Sequence, residues 1–222
     1  PGLVPATEAS VGLNPFSVQG PMGRNVSDTY LLLQAQVNLN RKDPFSSLDS
    51  LSMPDELLGA DLSGIKMAFS SDLGCAPVDN DIKSTFFKKI ETFKNNFLTA
   101  DQGEPDFLDI HSCFEVIRGF NYVASHKDKL DNYKDLLGPN VIDNVERGLK
   151  YSLADVSTAH VMQTKIYKNF RNFFNEYDVL ICPAASVSPY PHEQLFVDNI
   201  NDEKLPTYMR WLSLSYASTM AV

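Results

Sequence analysis

Apolar positions along the chain follow two different periods. Val26, Tyr30, Leu33 and Val37 recur at the spacing of a helix face, and Leu31 and Leu32 widen it. Asn25 stands at the N-cap position and Asp28 three residues on gives a capping-box-like arrangement, so a helix is predicted to begin after Asn25. Ile82, Phe86, Ile90, Phe93 and Phe97 predict a second helix over about 82–98, capped by Asp79. Phe114, Ile117 and Val123 predict a third over about 107–125, and 139–148 reads as a fourth. The strongest stripe, Val156, Ala159, Met162 and Ile166 continuing through Phe170 and Phe173, predicts a helix over about 153–174. A last helix is expected from Thr207.

Two short apolar runs break this period. Ile65 to Ser70, in "GIKMAFS", reads as a buried strand between Gly64 and "SDLG". "DVLICPAA", Asp178 to Ala185, reads as a central strand ending at Pro183. Residues 40–62 read as a polar linker with a short helical piece near Pro54. "DQGEPD" reads as a chain break, and 186–206 as a long loop. Strands separated by long helices indicate an α/β fold. Two strands are too few for a complete sheet, so the chain is expected to hold part of a mixed, twisted β-sheet flanked by helices, the rest of it coming from a segment outside this sequence.

Composition narrows the partners. The 222 residues are 43% hydrophobic and 21% charged, as in a folded globular protein, with net charge −9 and pI near 4.8. That charge repels phosphate backbones, so no nucleic acid is expected on this chain. No apolar run approaches the roughly 20 residues that span a bilayer, and "PGLVPATEAS" lacks the pattern of a signal peptide. No membrane association is expected, and the location expected is cytoplasmic. Cys75, Cys113 and Cys182 are far apart and odd in number, which suits reduced thiols and gives neither a disulfide framework nor a metal site. Both ends read as interior sequence: "PGLVP" is a loop in progress and "WLSLSYASTMAV" stops apolar, so the chain is expected to be a fragment or to have neighbours outside this sequence.

Motifs for chemistry are incomplete. "GPMGRNVSD", Gly20 to Asp28, could expose backbone N–H groups to an anion. It is not G-x-G-x-x-G and no Gly-Lys-Ser follows, so the structural reading is a Gly20-Pro21 turn, Arg24 on a carboxylate or carbonyl, and Asn25 as cap. His111, His126, His160 and His192 show no metal spacing. His160 is expected near the polar side of its helix; His192 follows a strand end, where ligands gather in open α/β sheets, but a surface or capping role is the reading its residues favour. Ser70 and Ser71 have no nucleophile elbow and begin the "SDLG" loop. Cys182 beside Pro183 reads as packing rather than a nucleophile. Tyr122 and Tyr133 read as core or partial surface, with no basic cluster for stacking bases.

Taken together, several stretches resemble the amidase signature family of amide hydrolases. "NPFSVQGPMGRNVSDTYLLL" resembles the family's Gly-Pro turn, Arg and leucine-rich helix, and "RKDPFS" the segment that follows. "LSGIKMAFSSDLGCAPVDNDI" resembles its strand with the D-L-G and P-V-D pattern. "YDVLICPAASVSPYPHEQ" resembles its strand and Pro-rich loop. "TYMRWLSLSYASTMAV" resembles the segment before the family's next strand. "TADQGEP", Thr99 to Pro105, lacks the family's usual apolar edge strand.

The resemblance implies one domain whose C-terminal part is 1–222, with an opening loop 1–24, a helix and linker 25–62, and an α/β portion 63–222. It implies amide C–N hydrolysis through an acyl-enzyme by a Ser–Ser–Lys triad. No position of this sequence carries a triad residue. They are expected upstream of residue 1, and the chain alone is expected to be inactive. The contribution expected of this chain is part of the substrate pocket, from Cys182, Pro183, Ser186, Tyr190 and His192, unless that loop only packs against the other half. No cofactor and no metal are implied. The implied partners are a small-molecule amide and the upstream half of the same protein, with a homodimer as a further option. A glutamine amidase of the amidotransferase-subunit type and a non-catalytic scaffold or binding module of the same fold stay open as alternatives.

Overall fold

The computed structural model describes residues 2–6, 10–16, 18–46, 53–54, 57 and 59–221. In chain order the elements are α1 (Val26–Gln36), β1 (Lys66–Phe69), α2 (Asn80–Phe93), β2 (Thr99–Gln102) and α3 (Ile110–Tyr133). Then follow α4 (Pro139–Gly148), α5 (Leu153–Phe173), β3 (Val179–Ile181), β4 (Asn199–Ile200), β5 (Glu203–Lys204) and α6 (Ser213–Met220). Contacts divide the chain into two compact units, one of residues 1–60 with 118–150 and one of 61–117 with 151–222. The helical piece expected near Pro54 falls mostly outside the described residues.

In the second unit, β2, β1 and β3 form a parallel sheet in that order, with Met67 opposite both Ala100 and Val179. β1 is central because "KMAF" can be covered on both sides, and Met67 and Ala68 are fully buried. Ile90, Ile110, Ile166 and Met220, one from each of four helices, are also almost completely buried. β3 has one neighbour among the described residues and stops at Ile181, two residues before the end at Pro183 expected of the "DVLICPAA" run. Cys182 and Pro183 have already left the ladder.

β2 overturns a sequence expectation. "TADQ" carries no apolar face, yet it pairs with β1, and the flanking bonds Leu98 N–H to Ile65 O and Gly103 N–H to Phe69 O extend the pairing. Strand pairing is made by backbone groups, and an edge strand with outward side chains can be polar. α3 likewise runs past its predicted end to Tyr133. Its last turns, "HKDKLDNY", are polar, so periodicity fades there, while Lys127 and Asp131 pair one turn apart.

Caps were more legible. Asn25 accepts the Asp28 N–H at 2.8 Å, Asp79 accepts the Asp81 N–H at 2.8 Å, and Ser152 with Asp155 forms a capping box. The last helix starts later than Thr207, after a 3-10 turn at Arg210–Leu212. The loop before it contains an antiparallel hairpin, β4 to β5.

In the first unit, buried Asp43 of "RKDPFS" accepts the backbone N–H groups of Ala6 (2.8 Å) and Phe45 (2.9 Å), which hold its carboxyl below the usual range. Gly23 of the Gly-Pro stretch packs on the first turn of α1: a Cβ there would lie 2.6 Å from the Thr29 amide nitrogen. No carboxylate or carbonyl partner of Arg24 is found among the described residues. α1 has no buried residue; Val26 and Leu31 are 73% and 70% exposed.

Candidate functional site

Open parallel sheets gather ligands at the carboxyl ends of their strands. Here the chain leaving β1 turns back through Ser70 to Asp79. Buried Ser70 accepts the Leu73 N–H on its Oγ at 2.9 Å, and Asp72 accepts the Gly74 N–H at 3.1 Å. Leu73 and Gly74 both have positive φ, 55° and 65°, a tight reversal of the kind "DLG" supports. Asp72 also pairs with Lys83 of α2 at 2.5 Å. Burial would raise the Asp72 pKa, but the Lys83 ammonium and the Gly74 N–H together hold it below the ordinary value.

The facing wall is the β4–β5 hairpin. Its two turn residues, Asn201 and Asp202, have φ of 53° and 65°, the two-residue turn that matches strand twist. Asn201 accepts the Asn80 N–H and donates to Val78 O, each at 3.0 Å. The Asp79 N–H goes to Ser186 O at 2.9 Å. The first amides of α2 are therefore consumed by protein groups and present no anion site.

Between these walls lies a cleft of about 480 Å³, lined by Asp72, Gly74, Cys75, Ala76 and Pro77 on one side. Ile200, Glu203, Lys204, Leu205, Pro206 and Arg210 line the other. A buried polar chain stands behind it. His111 Nε2 lies 3.0 Å from Cys75 O, and a carbonyl only accepts, so Nε2 carries the proton. Neutral His111 then accepts the Tyr216 hydroxyl at Nδ1, 2.5 Å away. Ser213 Oγ is 2.5 Å from Arg210 O and 2.9 Å from Tyr216 Oη, with one proton to share between them. Tyr216 also stacks on Phe114 at 4.0 Å. Arg210 reaches Glu115 at 3.6 Å, and its buried Nε has no partner among the described residues.

Burial dominates the electrostatics. It pushes the Cys75 thiol up to about 11, with Asp72 and Glu104 adding to the shift, and Tyr216 up to about 12. It pushes His111 down, and the Arg210 charge acts the same way. Cys75 is therefore a thiol near neutrality and a poor nucleophile. The cleft can enclose and orient a polar ligand; it holds no activated nucleophile. Among the described residues no group of side chains could hold a metal ion, and no helix is long and apolar enough to cross a membrane.

The residues expected from sequence are placed along the loop after β3, outside this cleft. Cys182 and Pro183 are half-buried, and burial raises the Cys182 thiol. Ser186 is fully buried, its carbonyl tied to Asp79 and its Oγ without a partner among the described residues. Tyr190 meets Trp211 edge to face at 5.8 Å. His192 is 92% exposed beside Glu193. No hydrogen bond or ring contact joins any two of these five. Sequence reasoning passed over Asp72, Arg210 and Tyr216 and weighed His111 only as a metal ligand. Only "DLG" at a strand end was a local signal; the others meet through packing.

The family profile described as Amidase matches residues 4–221. The chain belongs to the amidase family. An acylamidase of Rhodococcus erythropolis is 23% identical over 198 residues, covering 87% of this chain and 41% of the relative. A glutamyl-tRNA(Gln) amidotransferase subunit of Enterococcus faecalis is 26% identical over 212 residues, covering 82% and 42%. The solved structure of a bacterial aryl acylamidase of the amidase signature enzymes superposes with a TM-score of 0.78 at 17% identity, covering 99% of this chain and 48% of that one. That likeness shows a shared fold. The amidase chain described here thus spans less than half the length of these relatives.

Proposed function

We propose that the protein containing this chain hydrolyses amide C–N bonds, and that the chain supplies sheet, helices and part of the substrate enclosure. The observation that carries this reading is the family match over residues 4–221. In the proposed reaction, a serine of the family's Ser–Ser–Lys triad attacks the amide carbonyl and its proton passes through a neutral lysine to the leaving amine. Backbone N–H groups hold the oxyanion. Water then cleaves the acyl-serine ester, releasing a carboxylate and restoring the serine. The triad is assigned to polypeptide outside these 222 residues, because no position here matches it. The loop carrying Cys182, Pro183, Ser186, Tyr190 and His192, and the Arg210 cleft, are proposed as walls for the acyl or leaving group. The relative named acylamidase makes an acyl amide the first substrate class to test.

The test measures release of aniline from an aryl amide by the chain alone and by the chain joined to the triad-bearing segment. Hydrolysis is expected only from the joined protein. Its absence there would sink the amidase reading, and hydrolysis by the chain alone would sink the triad assignment. The similarity to the amidotransferase of Enterococcus faecalis carries a second reading, glutamine as the ammonia source. Glutamine-dependent ammonia transfer with partner subunits, in place of aryl amide cleavage, would establish it.

A further inference from the structure

The stretch of α3 that belongs to the first unit carries a different chemistry. Arg118, Tyr122, Ser125 and Lys129 fall at i, i+4, i+7 and i+11, one helical stripe, and His126 stands beside it. With Val11, Asn14 and Phe16 they line a groove of about 570 Å³. No Asp or Glu among the described residues lines it, in a chain of net charge −9.

The donors in the groove are held in place. Arg118 donates from Nε to Asn144 Oδ1 and from a terminal nitrogen to Tyr122 Oη, each at 2.9 Å, and its guanidinium sits 4.5 Å above the Tyr122 ring. The Asn14 side chain donates to Asn121 Oδ1 at 2.8 Å, a bond that leaves the Asn121 NH2 as a further donor. His126 packs against Tyr122 with ring centres 5.3 Å apart, and its Nδ1 is buried with no partner among the described residues. Lys129 pairs with no carboxylate among the described residues. Three cationic or potentially cationic side chains thus converge beside an apolar patch of Val11 and Phe16, and one buried ring nitrogen has no partner among the described residues.

We propose that this groove binds a small organic oxyanion, its carboxylate or phosphate head between Arg118, His126 and Lys129 and its apolar body on Val11 and Phe16. An oxyanion would lie against the His126 ring and accept from the Arg118 and Lys129 cations. It would also offset the neighbouring Lys129 charge. Free His126 is held below its usual pKa, by burial first and by Lys129 second. Bound anion reverses the second effect and stabilises the imidazolium. The site is independent of amide hydrolysis.

Benzoate and phenyl phosphate are the probes, titrated at constant ionic strength with chloride as the control anion, while the His126 ring resonances are followed by NMR. A saturable shift with a rise in the His126 pKa is expected for at least one probe, and the tighter probe identifies the head group. Lys129→Ala, an exposed change whose fold is checked by circular dichroism, should weaken binding roughly tenfold. Overturning results are no saturable shift with either probe, the same shift with chloride, or unchanged affinity in Lys129→Ala.

Discussion

His111 shows how one buried side chain makes a fold sensitive to acid. Its pKa is held below the usual His value, about 6.5, by burial and by Arg210. The folded protein therefore keeps it neutral where the unfolded chain has begun to bind a proton. Stability from this group is complete above the unfolded pKa and declines as pH falls towards and through the folded one. Urea midpoints measured at pH 7.5 and 5.0 should fall with pH, and His111→Gln should flatten part of that difference; an equal slope in the variant would remove His111 as its source. His126, also depressed, acts in the same direction. Asp202 offers a test of the opposite sign. It is exposed and holds φ of 65° in the β4–β5 turn, where glycine is unstrained. Asp202→Gly should raise stability by about 0.5–1 kcal/mol, read as a higher urea midpoint with unchanged slope.

At the scale of elements, caps and periodic stripes could be read locally because the partners lie within one helical turn. Asn25 and Asp79 cap as read from sequence, and Ser152 with Asp155 forms a capping box that the sequence reading did not single out. β2 and the hairpin could not be read this way. "TADQ" becomes a strand only because β1 offers it a ladder, and Asn201 fixes the hairpin through bonds to Val78 and Asn80, more than a hundred residues away in sequence. Close helix packing is another long-range feature. A Cβ on Gly148 at the end of α4 would lie 2.4 Å from Gly119 O and 2.7 Å from Val123 Cγ2 of α3. Gly148→Ala should therefore destabilise by about 1–3 kcal/mol, despite alanine's better helix propensity. A neutral or stabilising result in a thermal melt would show that the two helices can separate without cost.

For the whole molecule, the grouping of segments does not follow chain order. Residues 118–150 join the opening segment in one unit, and 151–222 join 61–117 in the other. The candidate site reflects the same rule. The loop after β3 was singled out because a strand end followed by prolines marks a ligand-side loop by position, and its five residues lie outside the cleft. The cleft residues were not: Cys75, His111, Arg210 and Tyr216 have no shared spacing, and their meeting depends on α3 and α6 packing behind one loop. The Tyr122 neighbourhood is a local case, set by the period of one helix. It reads as lacking a basic cluster along the sequence, yet the turn of α3 puts Arg118, His126 and Lys129 around it.

Sequence alone determined the α/β class, the long helices and their caps, the buried β1 strand and membership of a family of amide hydrolases. These rest on short-range periodicity, on side chains that bond within a turn, and on motif order along the chain. Tertiary structure decided the polar edge strand, the late hairpin and the buried His111–Tyr216 chain. Each of those depends on groups far apart in sequence whose pairing is set by which surfaces pack, and no local spacing encodes that.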